Sequence, residues 1–321
     1  MKRIAFVIDP LDSLGVKKDS TLAMMWAAQR RGWDVFSLQT SELSWKRGQV
    51  FLAARATELA DAPDNLVESP DARYRVGETI QLSAGSFDIV LMRKDPPFDM
   101  NYINTTYLLE QAERQGVLVV NKPSSLRDCN EKFFTTAFPA LLPPQIIASR
   151  IDELTRFHNE YEDVVFKPLD GMGGKGIFRV KRDDPNLNVI LETLTQNETM
   201  PIVGQQFIPE ISDGDKRILL IDGEPVPHSL ARIPKAGESR GNLAAGGVGV
   251  ARPLTDRDRE IAEAVGPELV RRELVFTGID VIGDWLTEVN VTCPTCIREL
   301  DRECGLDIAM DLLDCLEAKL S

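Results

Sequence analysis

Val164 to Val180, VVFKPLDGMGGKGIFRV, limits what this chain can fold into more than any other stretch. It opens on an apolar, β-branched run, Val164-Val165-Phe166, and places one lysine, Lys167, before a proline and a turn. Four glycines follow in six positions, Gly171, Gly173, Gly174 and Gly176, and then a second β-prone run, Ile177-Phe178-Arg179-Val180. The pattern predicts strand, glycine-rich loop, strand. Glycine tolerates φ > 0 and has no Cβ to keep a ligand away, so such a loop can turn several backbone N–H groups toward one point. Converging N–H groups make a concavity for an anion, and phosphate is the usual one. Lys167, at the end of the first strand, adds a point charge on the same anion. The competing reading is a plain hairpin with a flexible tip. Two familiar phosphate loops do not match. Lys175 is followed by Gly176, so there is no G-x-x-x-x-G-K-[ST], and strand residues follow the glycines where G-x-G-x-x-G would open a helix.

At 321 residues the chain has room for two or three domains and a substantial core. Its net charge of −13 argues against nucleic acid or anionic membrane as partner, since both draw on basic surface. An anionic ligand therefore has to be held by local Lys/Arg clusters and a cation. The N-terminal MKRIAFVIDP starts like a leader, but its apolar run stops at Asp9, so it reads as a first buried strand. No stretch approaches the roughly 18 apolar residues of a membrane span. Five cysteines without framework spacing suit a reducing compartment, which makes the cytoplasm the expected location.

Residues 1–121 alternate between strand and helix: strand Arg3–Ile8, helix Thr21–Arg31 capped by Asp19-Ser20, strand Trp33–Leu38, a mixed region over 44–87, strand Phe87–Arg93, helix Tyr102–Gln115 and strand Val117–Asn121. Such alternation implies an α/β unit with a mainly parallel sheet, whose ligands gather outside the carboxyl ends of the strands. Asp9 and Arg93-Lys94-Asp95 fall at such ends, where ordinary loop charge is the other reading. Residues 122–200 form a second unit, with a helix over Asp128–Phe138 carrying Lys132, then a helix Ile151–His158 and the glycine-rich hairpin. The third unit, 201–321, opens with strand Ile202–Ile208. Lys216–Asp222 and Glu224–Arg232 then pair around Asp222-Gly223, a strong hairpin signal. Residues 255–272 and 306–320 read as helices, and 274–291 as two strands.

The last strand pair carries the second informative constellation, GIDVIGDWLTEVNVTCPTCIRE. Glu288 and Asn290 are two apart and share a face. Asp280 joins them only if it pairs across from Glu288, which requires a three-residue Gly283-Asp284-Trp285 loop or a bulge; a simple two-residue turn puts the carboxylates on opposite faces. Two carboxylates and an amide oxygen are hard ligands that suit Mg²⁺ shared with phosphates, and polar residues on an exposed strand are the bland alternative. Only two histidines are present, which weakens a zinc site. Ala236–Gly249, with five glycines and Arg240, follows Arg232; a structureless loop of this length is functional or disordered, and as a functional element it would be a mobile cover. Cys293-Pro294-Thr295-Cys296 is a C-x-x-C, but no second pair completes a zinc knuckle.

IDPLDSLGVKKDS, VLMRKDPPFD, VNKPSSLRDCNEK, KPLDGMGG, DGDKR, DGEPVPHSLARIP, ESRGNLAAGG and TEVNVTCPTCIRE, in this order, resemble the ATP-grasp superfamily and within it the bacterial-type glutathione synthetases. The resemblance implies a three-domain ATP-grasp fold: an N-terminal Rossmann-like pre-ATP-grasp domain, and an α+β ATP-binding part over about 132–317. It implies ligation of γ-glutamylcysteine and glycine to glutathione, with ATP going to ADP and phosphate through an acyl phosphate. Mg²⁺ or Mn²⁺ would serve as cofactor and the assembly would be a homotetramer.

Carried over by motif, Lys132 and Lys167 would contact phosphates, and Gly171, Gly173 and Gly174 would form a flap. Gln205, Gln206, Phe207 and Ile208 would flank adenine, and Asp215 would hold the ribose. Asp280, Glu288 and Asn290 would bind the metal. Arg232 would stabilise the transferring phosphoryl group, with Arg217, Arg240 and the Cys293-Pro294-Thr295 turn near the substrate carboxylates. Arg93 and Lys18 would grip the γ-glutamyl end. Cys293 departs from the family, which often has serine there, and a thiol donates weaker hydrogen bonds than a hydroxyl. Another ATP-grasp carboxylate–amine ligase, D-alanine–D-alanine-like or glutamate-adding, shares the ATP and metal residues. A non-catalytic nucleotide-binding protein of the synapsin type would lack a metal ligand or the loop arginines.

Overall fold

The computed structural model describes residues 1–320 apart from 63–64, 66–72, 172, 236–240 and 242–245. The chain begins with β1 (Arg3–Val7), whose apolar residues are all buried. Helix α1 (Ser20–Arg30) starts where the Asp19 carboxylate accepts from the N–H groups of Thr21 and Leu22 at 2.7 and 3.1 Å. Then come β2 (Asp34–Leu38), β3 (Leu43–Lys46), β4 (Gln49–Leu59), β5 (Tyr74–Ser83), β6 (Ile89–Met92), α2 (Met100–Glu113) and β7 (Leu118–Val120). The first sheet runs β3-β4-β2-β1-β6-β7, with β5 on β4. It is parallel from β2 through β7, as the alternation predicts, and antiparallel where the mixed region 44–87 extends it through β3, β4 and β5.

After α3 (Pro123–Asp128) the expected helix over Asp128–Phe138 does not form. The Asn130 side chain accepts from the N–H groups of Lys132 and Phe133 at 3.1 and 2.9 Å, and a short 3-10 turn, Phe133–Ala137, follows. That local side-chain bond competes with the helix ladder and leaves Lys132 on a turn.

The second sheet has four strands, β8 (Gln145–Ala148), β9 (Asp163–Pro168), β10 (Phe178–Lys181) and β11 (Ile202–Gln206), ordered β10-β9-β11-β8. Helices α4 (Ile151–Tyr161) and α5 (Leu187–Leu194) accompany it. The glycine-rich stretch is a strand–loop–strand, with Phe178 opposite Phe166 and Val180 opposite Val164. β11 pairs with both β9 and β8, so the sheet of the central unit continues one strand past the boundary at residue 200.

The third sheet, β14-β13-β12-β15-β16, contains β12 (Asp215–Ile221), β13 (Glu224–Ile233), β14 (Val248–Pro253), β15 (Phe276–Ile282) and β16 (Trp285–Asn290). Asp222 and Gly223 form the β12–β13 turn at φ 49° and 86°, the backbone a two-residue hairpin needs. Helices α6 (Asp256–Arg271), α7 (Ile297–Cys304) and α8 (Ile308–Lys319) complete the chain. The helix at α7 is not legible in the sequence.

Strand alternation divides the third sheet between two cores. Ile218 and Leu220 bury against α6 in a cluster that also holds Val7 and Phe36. Leu219 and Leu230 bury in a cluster with Ile4, Met24 and Leu312. The first and third units therefore share their apolar interior, and Arg30–Asp307 (2.7 Å) and Arg31–Glu317 (2.5 Å) tie α1 to the α8 region. The central sheet has a separate small core of Leu154, Phe157, Val164, Phe166, Val180, Leu191 and Ile202. Among the described residues no helix is long and apolar enough to cross a membrane.

Candidate active site

The three units meet at a cavity of about 500 Å³. Its roof is the loop after β9. Gly173 and Gly174 take φ of 63° and 80°, a conformation costly for residues with a Cβ, and both line the cavity with Gly171. The start of the loop is anchored below, because Asn130 Nδ2 donates to the Leu169 carbonyl (3.0 Å) and Lys132 Nζ donates to that of Gly171 (2.7 Å).

Two buried lysines stand under this roof. Lys167 donates to Gln205 Oε1 at 3.2 Å, and burial holds its ammonium below the usual lysine range, with the neighbouring Lys132 pushing the same way. Lys132, 3% exposed, behaves oppositely. Burial disfavours its charge, but Glu288 at 3.6 Å and the adjoining Glu131 outweigh that and raise its pKa. Gln205, Phe207 and Ile208 line the wall beyond β11. Gln206 does not line it, and its N–H donates to the Pro144 carbonyl at 2.9 Å. Phe207 is held from behind by Arg179, whose guanidinium carbon lies 3.3 Å from the ring centroid while its nitrogens pair with Asp163. Sequence reasoning passed over Arg179, which it saw only as a strand residue.

The floor is an ion network on the third sheet. Asp280 pairs opposite Glu288, and the register slips between Asp280 and Val281. Thr287 is the extra residue, so a two-residue Gly283-Asp284 turn coexists with the carboxylates on one face through a bulge. Asp280, 2% exposed, is gripped through both oxygens by Arg217 and by Arg232 at 2.9 Å, and Asn290 Nδ2 donates to it at 3.3 Å. Burial pushes its pKa up, but Arg217 and Arg232 prevail and hold it well below the usual carboxylate range. Arg232 also pairs with Asp215 at 2.5 Å. Burial pushes the Asp215 carboxyl up to about 7, and its Oδ1 has no hydrogen-bond partner.

Among the described residues no three His, Cys, Asp or Glu side chains come together as a metal site. The expected trio instead supplies two carboxylates, both engaged by cations, and one amide. As a donor set it fits a hard divalent cation: every oxygen donor is of the type such ions take, and the bulge brings them to one face. Around the trio, the formal charges of Lys132, Lys167, Arg217 and Arg232 balance those of Glu131, Asp215, Asp280 and Glu288. A polyphosphate entering with divalent cations keeps that balance.

The far end of the cavity is built by the first unit and the turn before α7. Arg93, 5% exposed, donates to the Pro294 carbonyl (2.9 Å) and to Thr21 Oγ1 (3.3 Å). Lys18, Cys293 and Thr295 line this end; Pro294 contributes its carbonyl to Arg93 instead. Cys293 Sγ donates to the Arg93 carbonyl at 3.3 Å, and burial pushes the thiol up to about 12, so it is a neutral donor at neutral pH. Cys293 and Cys296 are free thiols. Arg240 lies outside the described residues. Glu131 and Glu299 line the cavity as well; the sequence reading assigned neither a role, although they stand in the NEK and IRE motifs.

A model of the prokaryotic glutathione synthetase N-terminal domain matches residues 2–127, and one of the prokaryotic glutathione synthetase ATP-grasp domain matches residues 131–305. The glutathione synthetase of Pseudomonas syringae pv. tomato is 54% identical over 318 residues, spanning 99% of this chain and 98% of that one. The glutathione synthetase of Vibrio parahaemolyticus is 50% identical over 320 residues, spanning 100% and 99%. Among solved structures, D-cycloserine synthetase DcsG superposes with a TM-score of 0.68 at 14% identity, covering 99% of this chain and 100% of that one. D-alanyl-alanine synthetase A from Vibrio cholerae gives 0.58 at 14%, covering 100% and 98%. At such identities the likeness shows the fold alone, which is the multi-domain ATP-grasp fold.

Proposed function

The chain belongs to the prokaryotic glutathione synthetase family, and from that premise we propose how its residues divide the work of joining γ-glutamylcysteine and glycine at the expense of ATP. The observation that carries the reading is the bulged β15–β16 pair, which sets Asp280 and Glu288 on one face beside Arg217, Arg232 and Lys132.

ATP binds between the central and third units. Its base lies along Gln205, Phe207 and Ile208, with Gln206 supporting the wall from the strand. Asp215, with one carboxylate oxygen free, accepts from a ribose hydroxyl. Lys132 and Lys167 bind the phosphates, and Gly171, Gly173 and Gly174 lay backbone N–H groups over them. Asp280, Glu288 and Asn290 would hold Mg²⁺, or Mn²⁺ in its place. When bound, the metal neutralises phosphate charge and polarises the γ-phosphoryl group.

The cysteinyl carboxylate attacks the γ-phosphorus, the bond to the β,γ-bridging oxygen breaks, and ADP leaves an acyl phosphate. Arg232 faces the charge that develops on the transferring group, the role where fixed cations contribute most. Glycine's amine then attacks the acyl carbon, the C–O bond to phosphate breaks, and the proton given up by the nitrogen is carried off by the departing phosphate. Arg217 and the Cys293–Thr295 turn orient the substrate carboxylates, and Arg240 is proposed to join them. Closing the flap excludes water from the acyl phosphate; the separate core of the central unit suits such a cover.

Five free cysteines support a reducing compartment such as the cytoplasm. The proposed homotetramer is tested by sizing in solution. The reaction is tested by phosphate release from ATP with γ-glutamylcysteine, with and without glycine. Glycine-dependent release with glutathione as product is expected; release that ignores glycine removes the substrate assignment and leaves the fold standing.

A further inference from the structure

Residues 130–132 touch parts of the cavity that lie far apart in the chain. Asn130 Nδ2 donates to the Leu169 carbonyl at the root of the glycine-rich loop (3.0 Å), and Lys132 Nζ donates to the Gly171 carbonyl two residues on (2.7 Å). The Val289 N–H, between the proposed metal ligands Glu288 and Asn290, donates to the Glu131 carbonyl at 2.8 Å. One turn thus joins the loop that roofs the cavity to the strand that forms its floor. Apolar packing does little of this joining, because the central unit has its own core, separate from the clusters of the other two units. Packing is also incomplete at the root itself, where a cavity of about 20 Å³ is lined by Phe98, Asn130, Leu169, Asp170 and Val291 among others. A void leaves its lining without partner atoms on one side, so hydrogen bonds and not close packing fix the root there.

The chemistry of Asn130 matches this place. Its Oδ1 accepts from the N–H groups of Lys132 and Phe133 at 3.1 and 2.9 Å and shapes the Lys132 turn, while its Nδ2 serves Leu169. Two donors on one side and a carbonyl on the other decide which way the amide points. Of the two bonds to the loop, the one from Lys132 comes from a group that the phosphates claim in the proposed reaction. The one from Asn130 has no competing duty.

We propose that Asn130 is a positioning residue for the acyl-phosphate step. It keeps the root of the glycine-rich loop seated on the Lys132 turn while Lys132 Nζ attends the phosphates, so that glycine and not water reaches the acyl carbon. The inference deepens the ligase reading above and rests on it. Where the root lifts, water attacks the acyl carbon, the C–O bond to phosphate breaks, and γ-glutamylcysteine returns as its carboxylate. One proton of the water goes to the phosphate and the other to solvent, and ATP is consumed without glutathione.

The test is the amount of phosphate released per glutathione formed by the wild type, Asn130→Asp and Asn130→Ser. Both replacements keep a side-chain oxygen for the N–H groups of Lys132 and Phe133 and lose the donor to Leu169, and serine does so without adding charge. The wild type should release about one phosphate per glutathione, since a closed site keeps water from the reactive intermediate. In both variants the ratio should climb, and phosphate release with γ-glutamylcysteine but no glycine should rise at least about fivefold, the shift expected when a hydrogen bond is lost. KM for ATP in Asn130→Ser should stay within about threefold, because the Lys132 turn is kept. A purely structural role would lower the unfolding midpoint and leave the ratio at its wild-type value, and that result overturns the proposal. So does a rise that is as large without γ-glutamylcysteine, which would put the leak on ATP. The ratio does not depend on how much of a variant is folded, and the serine variant decides alone if the aspartate one does not fold. A wild type that forms no glutathione removes the ligase reading itself, before any variant is compared.

Discussion

Asp280 and Glu288 face each other across one strand pair, yet the structure gives them different mechanical duties, and neutralising each in turn separates those duties. In Asp280→Asn the grip of Arg217 is lost. Arg232 keeps Asp215 at 2.5 Å, but Arg217 retains no carboxylate partner and is itself buried. Removing one member of a buried ion pair costs about 3–5 kcal/mol, because the other charge is left uncompensated. In Glu288→Gln the lost contact is a single 3.6 Å approach to Lys132, which keeps Glu131 and the Gly171 carbonyl. The cost there is on the order of 1 kcal/mol or less, comparable to a partly exposed pair.

At roughly 2–4 °C per kcal/mol for a large domain, Asp280→Asn should lower the unfolding midpoint of the ligand-free chain by about 6–12 °C at the lower cost, and Glu288→Gln by no more than about 4 °C. Because Asp280 titrates below the usual range, the stability it supplies is present above the unfolded value of about 3.9 and is lost only as pH falls through the lower folded value. The difference between the two variants should therefore persist from about pH 6 to pH 8. Differential scanning fluorimetry beside a phosphate-release assay reads both effects. Both variants should lose turnover. If Glu288→Gln destabilises the free chain as much as Asp280→Asn does, the division of labour argued from these contacts is wrong.

Three further outcomes follow from other parts of the structure. Lys167→Met removes a buried ammonium whose charged form burial already disfavours, so the free chain should keep its unfolding midpoint while KM for ATP rises at least about tenfold; unchanged ATP affinity would take Lys167 off the phosphates. Gly278→Ala places a Cβ 2.8 Å from Arg217 Cδ, so kcat should fall while ATP binding, followed by titration, stays near wild type; an unaffected kcat would mean that Arg217 has room to shift. Burial raises the Asp301 carboxyl to about 7, so its favourable contribution is complete below the unfolded value and is lost as pH rises through about 7. Asp301→Asn, which can still accept from the Ile308 N–H, should be more stable than wild type at about pH 8 and flatten the slope below it, as melting curves across pH would show.

What could be read from the sequence was local. The flap strands announced themselves because Val164–Phe166 and Ile177–Val180 are β-prone runs around glycines, and their pairing depends on nothing distant. The Asp222-Gly223 turn was equally plain. Pattern alone left the Asp280 register between two geometries, and what resolved it is a bulge at Thr287, whose hydroxyl donates to the Asp280 carbonyl at 3.1 Å. The helix wrongly expected through Lys132 shows the opposite limit: residues 128–138 have helical propensity, but the Asn130 side chain captures the N–H groups the helix needs. Helix α7 stayed hidden because it begins after Cys296 at φ 91°, a conformation no propensity scale assigns to cysteine. Hydrophobic periodicity also says which face of a strand is buried but not against what. The shared core of the first and third units, and with it the placement of Glu299 and Arg93 on one cavity, was beyond its reach.

In the proposed mechanism one carboxylate oxygen of γ-glutamylcysteine becomes a phosphate oxygen before the amide bond forms. Incubating the chain with ATP, glycine and γ-glutamylcysteine labelled with ¹⁸O in its cysteinyl carboxylate tests this by mass spectrometry of the released phosphate. Transfer of one labelled oxygen into each phosphate formed is the predicted result. Phosphate released without label, alongside glutathione, would contradict the acyl-phosphate route and the roles assigned around it.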